Sequence, residues 1–178
     1  MRKAGWMMLG IVGAVVLALS GAALAGEALE INGVFAGEGH PKGWSPNKPG
    51  YWDDEGKVAL NKIPDTEKTA LQLTSQSKKM HLFTKQFPVA KGDKVVVKAL
   101  VKGKGAGSLG AYTYPGGGWV NKEFKATAEW TEFVAELSFP EKVENVCVVI
   151  GITPGSSVEF MDVKAEIVKQ EQSQPATK

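Results

Sequence analysis

The side chains with most to offer chemically lie between Ser108 and Lys125, in the runs SLGAYTY, PGGG and WVNKEFK. Pro115-Gly116-Gly117-Gly118 is a turn signal, because proline fixes φ and glycine allows positive φ, so the flanking runs predict a β-hairpin. Alternation along the incoming run sets Leu109, Ala111 and Thr113 on one face and Tyr112 and Tyr114 on the other. On the return run Val120 and Phe124 share a face, and Trp119, Asn121 and Glu123 share the opposite one. If the aliphatic side is the core, three aromatic rings stand outward beside an amide and a carboxylate. Flat apolar rings next to fixed hydrogen-bonding groups suit a sugar, whose C–H face stacks while its hydroxyls bond. The same rings would also suit the covering of a sheet edge or a neighbouring loop, since aromatics favour strands whatever they do there.

Further hydrogen-bonding groups on predicted strands are Gln72, Gln86 and His81, each of which also reads as part of a solvated strand face. His81 sits between Met80 and Leu82, a setting that suits a structural histidine. Catalysis finds little support. Two histidines and one cysteine make no nucleophile–base constellation, and neither histidine has the neighbours of a zinc site. A glycosidase needs two carboxylates about 5 to 9 Å apart across a cleft. Glu123, Glu136 and Glu159 lie on predicted strands, whereas Asp53-Asp54-Glu55 reads as a solvated turn. The balance favours binding over catalysis.

The elements that must position these residues follow an N-terminal leader. Arg2 and Lys3, the apolar run Met7 to Leu19 and the small-x-small triplet Ala23-Leu24-Ala25 form an export signal over residues 1–25, with cleavage near Ala25. Retention of the run as a membrane anchor is the alternative reading. Once Arg2 and Lys3 leave, the 21 basic residues fall to the number of acidic ones, 19. A neutral mature chain gives no electrostatic reason to bind nucleic acid, or a membrane after cleavage. The single cysteine, Cys147, excludes an internal disulfide and reads as a small buried hydrophobe within Val146–Ile150. Lys94, Lys98 and Lys102 are scattered singly and read as solubilising, edge-protecting charges.

The remaining chain reads as short strands. Glu27–Phe35 opens it, and a loop rich in glycine, proline and asparagine runs to Trp52. Strands follow at Lys57–Leu60, Thr69–Thr74, Lys79–Phe87, Asp93–Lys102, the hairpin, Trp130–Phe139, Val143–Thr153 and Val158–Ile167. In Lys79–Phe87, His81, Phe83 and Lys85 share one face and Met80, Leu82 and Thr84 the other. Val143–Thr153 is apolar on both faces at its centre, as a central strand would be. No stretch beyond the leader has a helical period. Such a chain predicts an all-β fold, a two-sheet antiparallel β-sandwich (jelly roll) over residues 26–168, with a polar, disordered tail over 169–178.

Several landmarks then fall in order: Asn32-Gly33-Val34-Phe35, Gly43-Trp44, Gly92-Asp93-Lys94-Val95, Trp130-Thr131-Glu132-Phe133 and Phe160-Met161-Asp162-Val163. This order resembles the jelly-roll carbohydrate-binding modules of the cellulose- and xylan-binding type, which share the galactose-binding-domain-like fold, and the resemblance spans roughly Leu29 to Val168. It implies that Trp44 and Trp130 are structural. It adds Tyr51 and Trp52, in a loop bordering the ligand cleft of such modules, to the candidate ligand contacts Tyr112, Tyr114, Trp119, Asn121 and Glu123. It also implies a possible structural calcium between the first and last strands, with Asp162 and Glu30 as candidate ligands. The family's acidic residues are replaced at two matching positions, by Ala36 and Met161. The resemblance implies an exported, periplasmic or extracellular, non-catalytic module that binds a polysaccharide or oligosaccharide. The alternative is a structural or protein-interaction sandwich with a protein partner and no sugar site.

Overall fold

Alternating apolar residues at period two make strands that each expose one hydrophobic face, and two sheets bury those faces against each other. The computed structural model describes residues 26–35, 38–47, 50, 55–140 and 142–169. The leader, the loop pair Tyr51 and Trp52, Ala36 and residues 170–178 lie outside the described residues. Eleven strands are formed: β1 Glu27–Ala28, β2 Ser45–Pro46, β3 Lys57–Lys62, β4 Thr69–Ser75, β5 Met80–Pro88, β6 Lys94–Lys104, β7 Ala106–Tyr114, β8 Gly118–Lys125, β9 Thr131–Ser138, β10 Asn145–Ile152 and β11 Ser156–Val168. No helix occurs among the described residues. One sheet runs β3-β4-β11-β6-β9 with β1 also on β11, and the other runs β2-β5-β10-β7-β8. The strand pairings are antiparallel. The fold is the all-β jelly-roll sandwich that the strand pattern predicts.

The core lies between the sheets. Leu71, Leu73, Val97, Phe160 and Leu137 from the first sheet meet Met80, Leu82, Leu109, Ile150 and Ile152 from the second, all essentially without solvent contact. Phe124 bridges them, with its ring 6.0 Å from Phe160 and 5.0 Å from Phe133. Burial of each such side chain contributes about 1.5–3 kcal/mol, so a core of this extent holds the domain without a disulfide. β10 lies between β5 and β7 and is buried along nearly its whole length, as its doubly apolar sequence requires.

Two expectations change. Glu27–Phe35 does not continue as a strand beyond Ala28. From Leu29, whose N–H still donates to Ala165 O at 2.8 Å, the chain runs on as a loop beside β11, turns at Gly33-Val34 and reaches Phe35 with φ of 52°. Gly33 accepts a hydrogen bond from Val163 N–H at 2.9 Å, and a Cβ at Gly33 would lie 1.6 Å from Val163 O. The chain can therefore approach β11 this closely only at glycine, which a continued strand would not do. Lys94, Lys98 and Lys102 do not guard an edge either. They lie on β6, which pairs with β11 and β9, so they are the solvent face of an interior strand.

Candidate functional site

The outer face of the second sheet carries the candidate site. Register across β5, β10, β7 and β8 lays its side chains in three rows. Gln86, Cys147, Tyr112 and Trp119 make the first, Phe83, Val149, Gly110 and Asn121 the second, and His81, Gly151, Ser108 and Glu123 the third. Thr113, Ala111 and Leu109 point inward and are buried, so the hairpin has the facing its sequence predicts.

A bulge in β5 sets the first two rows. Gln86 pairs with Cys147 and Phe83 with Val149, so Thr84 and Lys85 together oppose Val148 alone. Thr84 is buried, and its hydroxyl accepts from Val148 N–H at 2.9 Å and donates to Lys85 O at 2.9 Å. That satisfies an amide the ladder would leave without a partner. The bulge also turns Phe87 to the inner side, where it is 6% exposed. Strict alternation from His81 would have faced it outward.

The rings form one cluster. Trp119 lies 4.7 Å from His81, 5.5 Å from Phe83 and 5.1 Å from Tyr112, and Tyr112 lies 5.1 Å from Tyr114. Glycines make room for it. A Cβ on Gly151 would come within 2.4 Å of the His81 ring, and one on Gly110 within 2.6 Å of the Asn121 Cβ. With Gly151 bare, His81 lies low over the sheet beside the indole, and with Gly110 bare Asn121 packs close on its neighbour strand. Trp119 nevertheless remains 47% exposed, one of the few large apolar side chains so presented.

Trp119 stands between two depressions. One, of about 310 Å³, is lined by Lys79, His81, Ser108, Gly110, Asn121 and Glu123 among others. The other, of about 610 Å³, is lined by Pro46, Asn47, Phe83, Gln86, Tyr112 and Tyr114 among others, with Cys147 also on its wall. Burial lowers the pKa of His81, and the nearby Lys79 charge lowers it further, so its ring is held neutral. Burial raises the Tyr114 hydroxyl, with the neighbouring Cys147 thiol adding to the effect. Burial also raises Cys147, against an opposing hydrogen bond from Tyr114. Both groups are therefore neutral hydrogen-bonding groups at ordinary pH. A neutral imidazole, two phenols, three amides and a carboxylate around exposed rings can accept and donate to hydroxyls while the rings cover C–H faces.

The structure thus brings Tyr112, Tyr114, Trp119, Asn121 and Glu123 to one face. It adds Phe83 and Lys85, which the sequence reading placed on the His81 face without assigning them to a ligand. The signal for Phe83 was an aromatic ring at an outward position. Gln72 belongs elsewhere. It lies on β4 of the other sheet, where its Oε1 accepts from Asn61 at 3.1 Å and its amide donates to Ser157. Trp44 is structural, 4% exposed, with its indole N–H donating to Asn32 O at 2.9 Å. Trp130 is only half-buried and lies just before β9, with Lys102 Nζ 5.9 Å from its ring.

The candidate calcium ligands Asp162 and Glu30 each face a lysine. Asp162 sits in a second bulge, in β11, with φ of 51°, and its Oδ2 lies 2.6 Å from Lys68 Nζ. Glu30 lines a different depression and pairs loosely, at 3.9 Å, with Lys85. Met161 is buried. Calcium takes six to eight oxygens, carboxylates among them. Among the described residues no three acidic, histidine or cysteine side chains converge. An ammonium group holds the place beside Asp162.

Comparison with solved structures agrees on the fold. A xylan-binding domain from Paenibacillus barcinonensis matches with a TM-score of 0.56 at 18% identity, covering 84% of this chain and 99% of that one. The fold is the jelly roll of the carbohydrate-binding modules. A CBM4 module matches with a TM-score of 0.50 at 12% identity, over 77% of this chain and 98% of that one. The N-terminal CBM22 and GH10 modules of a Clostridium thermocellum endo-1,4-β-D-xylanase, solved with xylohexaose, match with a TM-score of 0.51 at 14% identity, over 86% of this chain and 30% of that one. No protein-family model and no curated protein matches the chain.

Proposed function

We propose that the protein is a non-catalytic glycan-binding module, exported through its leader, which stacks sugar rings on the outer face of β5, β10, β7 and β8. The observation that carries this reading is Trp119, an exposed indole set among Phe83, Tyr112 and His81 between two polar-rimmed depressions. An apolar ring of this size left in water on a folded surface is a ready contact for another flat apolar face. The fold shared with xylan-binding domains supports the same class of ligand. The non-catalytic part rests on the lining. The described walls of the larger depression carry no carboxylate, and Glu123 stands without an acidic partner among the described walls of the smaller one. A two-carboxylate hydrolysis would need one.

The test is retention of the purified protein on a panel of soluble and insoluble polysaccharides, beside a folded Trp119→Ala variant. Retention of the wild type on a β-glucan or xylan is expected. Truncating a central aromatic contact should weaken it by about 2 kcal/mol or more, roughly thirtyfold. A folded wild type retained on no glycan would overturn the reading in favour of a protein-interaction module.

A further inference from the structure

The two depressions beside Trp119 belong to a longer path. Thr84 and Lys85 form a wall shared by the larger depression and a third, of about 530 Å³, that continues past the β5 edge to Lys42 and Gly43. Trp119 borders both the first depression and the second, so the three hollows adjoin one another in a row. A path of that form fits an extended chain rather than a compact ligand.

Its charges are unevenly spread. Lys79 lines the first hollow, Lys85 the junction of the second and third, and Lys42 the third. The carboxylates are at the two ends, Glu123 in the first hollow and Glu30 in the third. In the central and largest hollow Lys85 is the sole charged residue among the described walls. Its Nζ lies 5.4 Å from the Phe87 ring centroid, and its pairing with Glu30 is loose, at 3.9 Å to a side chain 93% exposed. An incoming carboxylate can displace such a partner at little cost.

On the reading that the groove binds a glycan, we propose that its preferred ligand is acidic: an extended polysaccharide bearing uronate groups. Lys85 is the residue that selects for the carboxylate. The rings Trp119, Phe83 and Tyr112 hold the backbone sugars, and the Lys85 ammonium, on the Glu30 side of the wall between the second and third hollows, receives a negative substituent there. Because this contact is open to water, it contributes a preference, not the bulk of the affinity.

The test compares two forms of one polymer, a glucuronate-substituted xylan and the same xylan with its carboxyl groups reduced to alcohols. At low salt the wild type should bind the acidic form about three- to fivefold more tightly, the range of an exposed ion pair. In 1 M NaCl, where the screening length is about 3 Å, the preference should shrink towards none. Lys85→Gln should abolish the preference while still binding the reduced polymer. Lys98→Gln, on the other sheet, should keep it. Trp119→Ala should weaken both polymers alike. Equal binding of the two polymers by the wild type, or a preference that survives Lys85→Gln, overturns the acidic-ligand assignment and leaves glycan binding standing. A folded wild type that binds neither polymer overturns both.

Discussion

At the scale of single residues, His81 ties the binding face to stability. Its ring is wedged between the bare backbone of Gly151 and the Trp119 indole, and burial lowers its pKa below 6.5. In the unfolded chain the ring takes its proton near 6.5, so the unfolded state binds more protons in the window just below that value. Stability is therefore full above pH 6.5 and falls as the pH drops towards the lower folded pKa. Thermal unfolding followed from about pH 8 to pH 5 should show the wild type losing stability relative to His81→Gln only in the acidic part of the range. A constant difference between the two would contradict the argument. Lys68 and Asp162 make the second residue-scale claim. An ammonium ion 2.6 Å from the carboxylate already meets its charge. The thermal midpoint should be the same in excess calcium and in chelator, and a chelator-dependent fall would contradict it. Lys68→Met should cost about 1 kcal/mol or less, because both side chains keep contact with water.

At the scale of elements, the site depends on the β5 bulge. The Thr84 hydroxyl is the acceptor for Val148 N–H in a buried position, so Thr84→Val keeps the volume and removes the partner. The expected cost is about 1–3 kcal/mol by chemical denaturation, with a loss of register at Phe83 and Gln86. A change within a few tenths of a kcal/mol would show that water or another group serves that amide. The bulge also marks where the sequence could be read and where it could not. His81, Phe83, Tyr112 and Trp119 face outward in agreement with simple alternation. Phe87 does not, because a bulge adds one residue without leaving a turn residue behind, and threonine at the bulge looks like any strand threonine. The opening segment shows the same limit. Alternation in Glu27–Phe35 resembles a strand, yet Gly33 fixes a close approach to Val163 that only the folded partner reveals. The hairpin was legible because Pro115 and three glycines mark its turn and its two faces differ sharply in chemistry. Gln72 was not legible, because an outward amide on a strand does not say which sheet the strand joins.

At the scale of the molecule, the jelly roll spends its apolar residues on two inner faces and leaves one outer face aromatic and the other polar. The first sheet's outer side carries Asn61, Gln72, Glu159 and the β6 lysines, linked by hydrogen bonds such as Asn61 Nδ2 to Glu159 Oε1 at 3.0 Å. That side also holds a depression of about 350 Å³, lined by Leu29, Val34, Val96 and Lys98 among others, but no aromatic ring lines it. The second sheet's outer side holds rings exposed to solvent and hollows on either side of them. The central proposal rests on this asymmetry: the aromatic face is the one that would take the glycan. The measurement that tests it most directly is a titration of the isotopically labelled protein with xylohexaose, following backbone amide and indole resonances. The account predicts shifts concentrated at the Trp119 indole, Gly110, Tyr112 and Phe83, with Gln72, Glu159 and Lys98 unmoved. Shifts centred on the first sheet, or confined to residues away from Trp119 while the sugar binds, would contradict it.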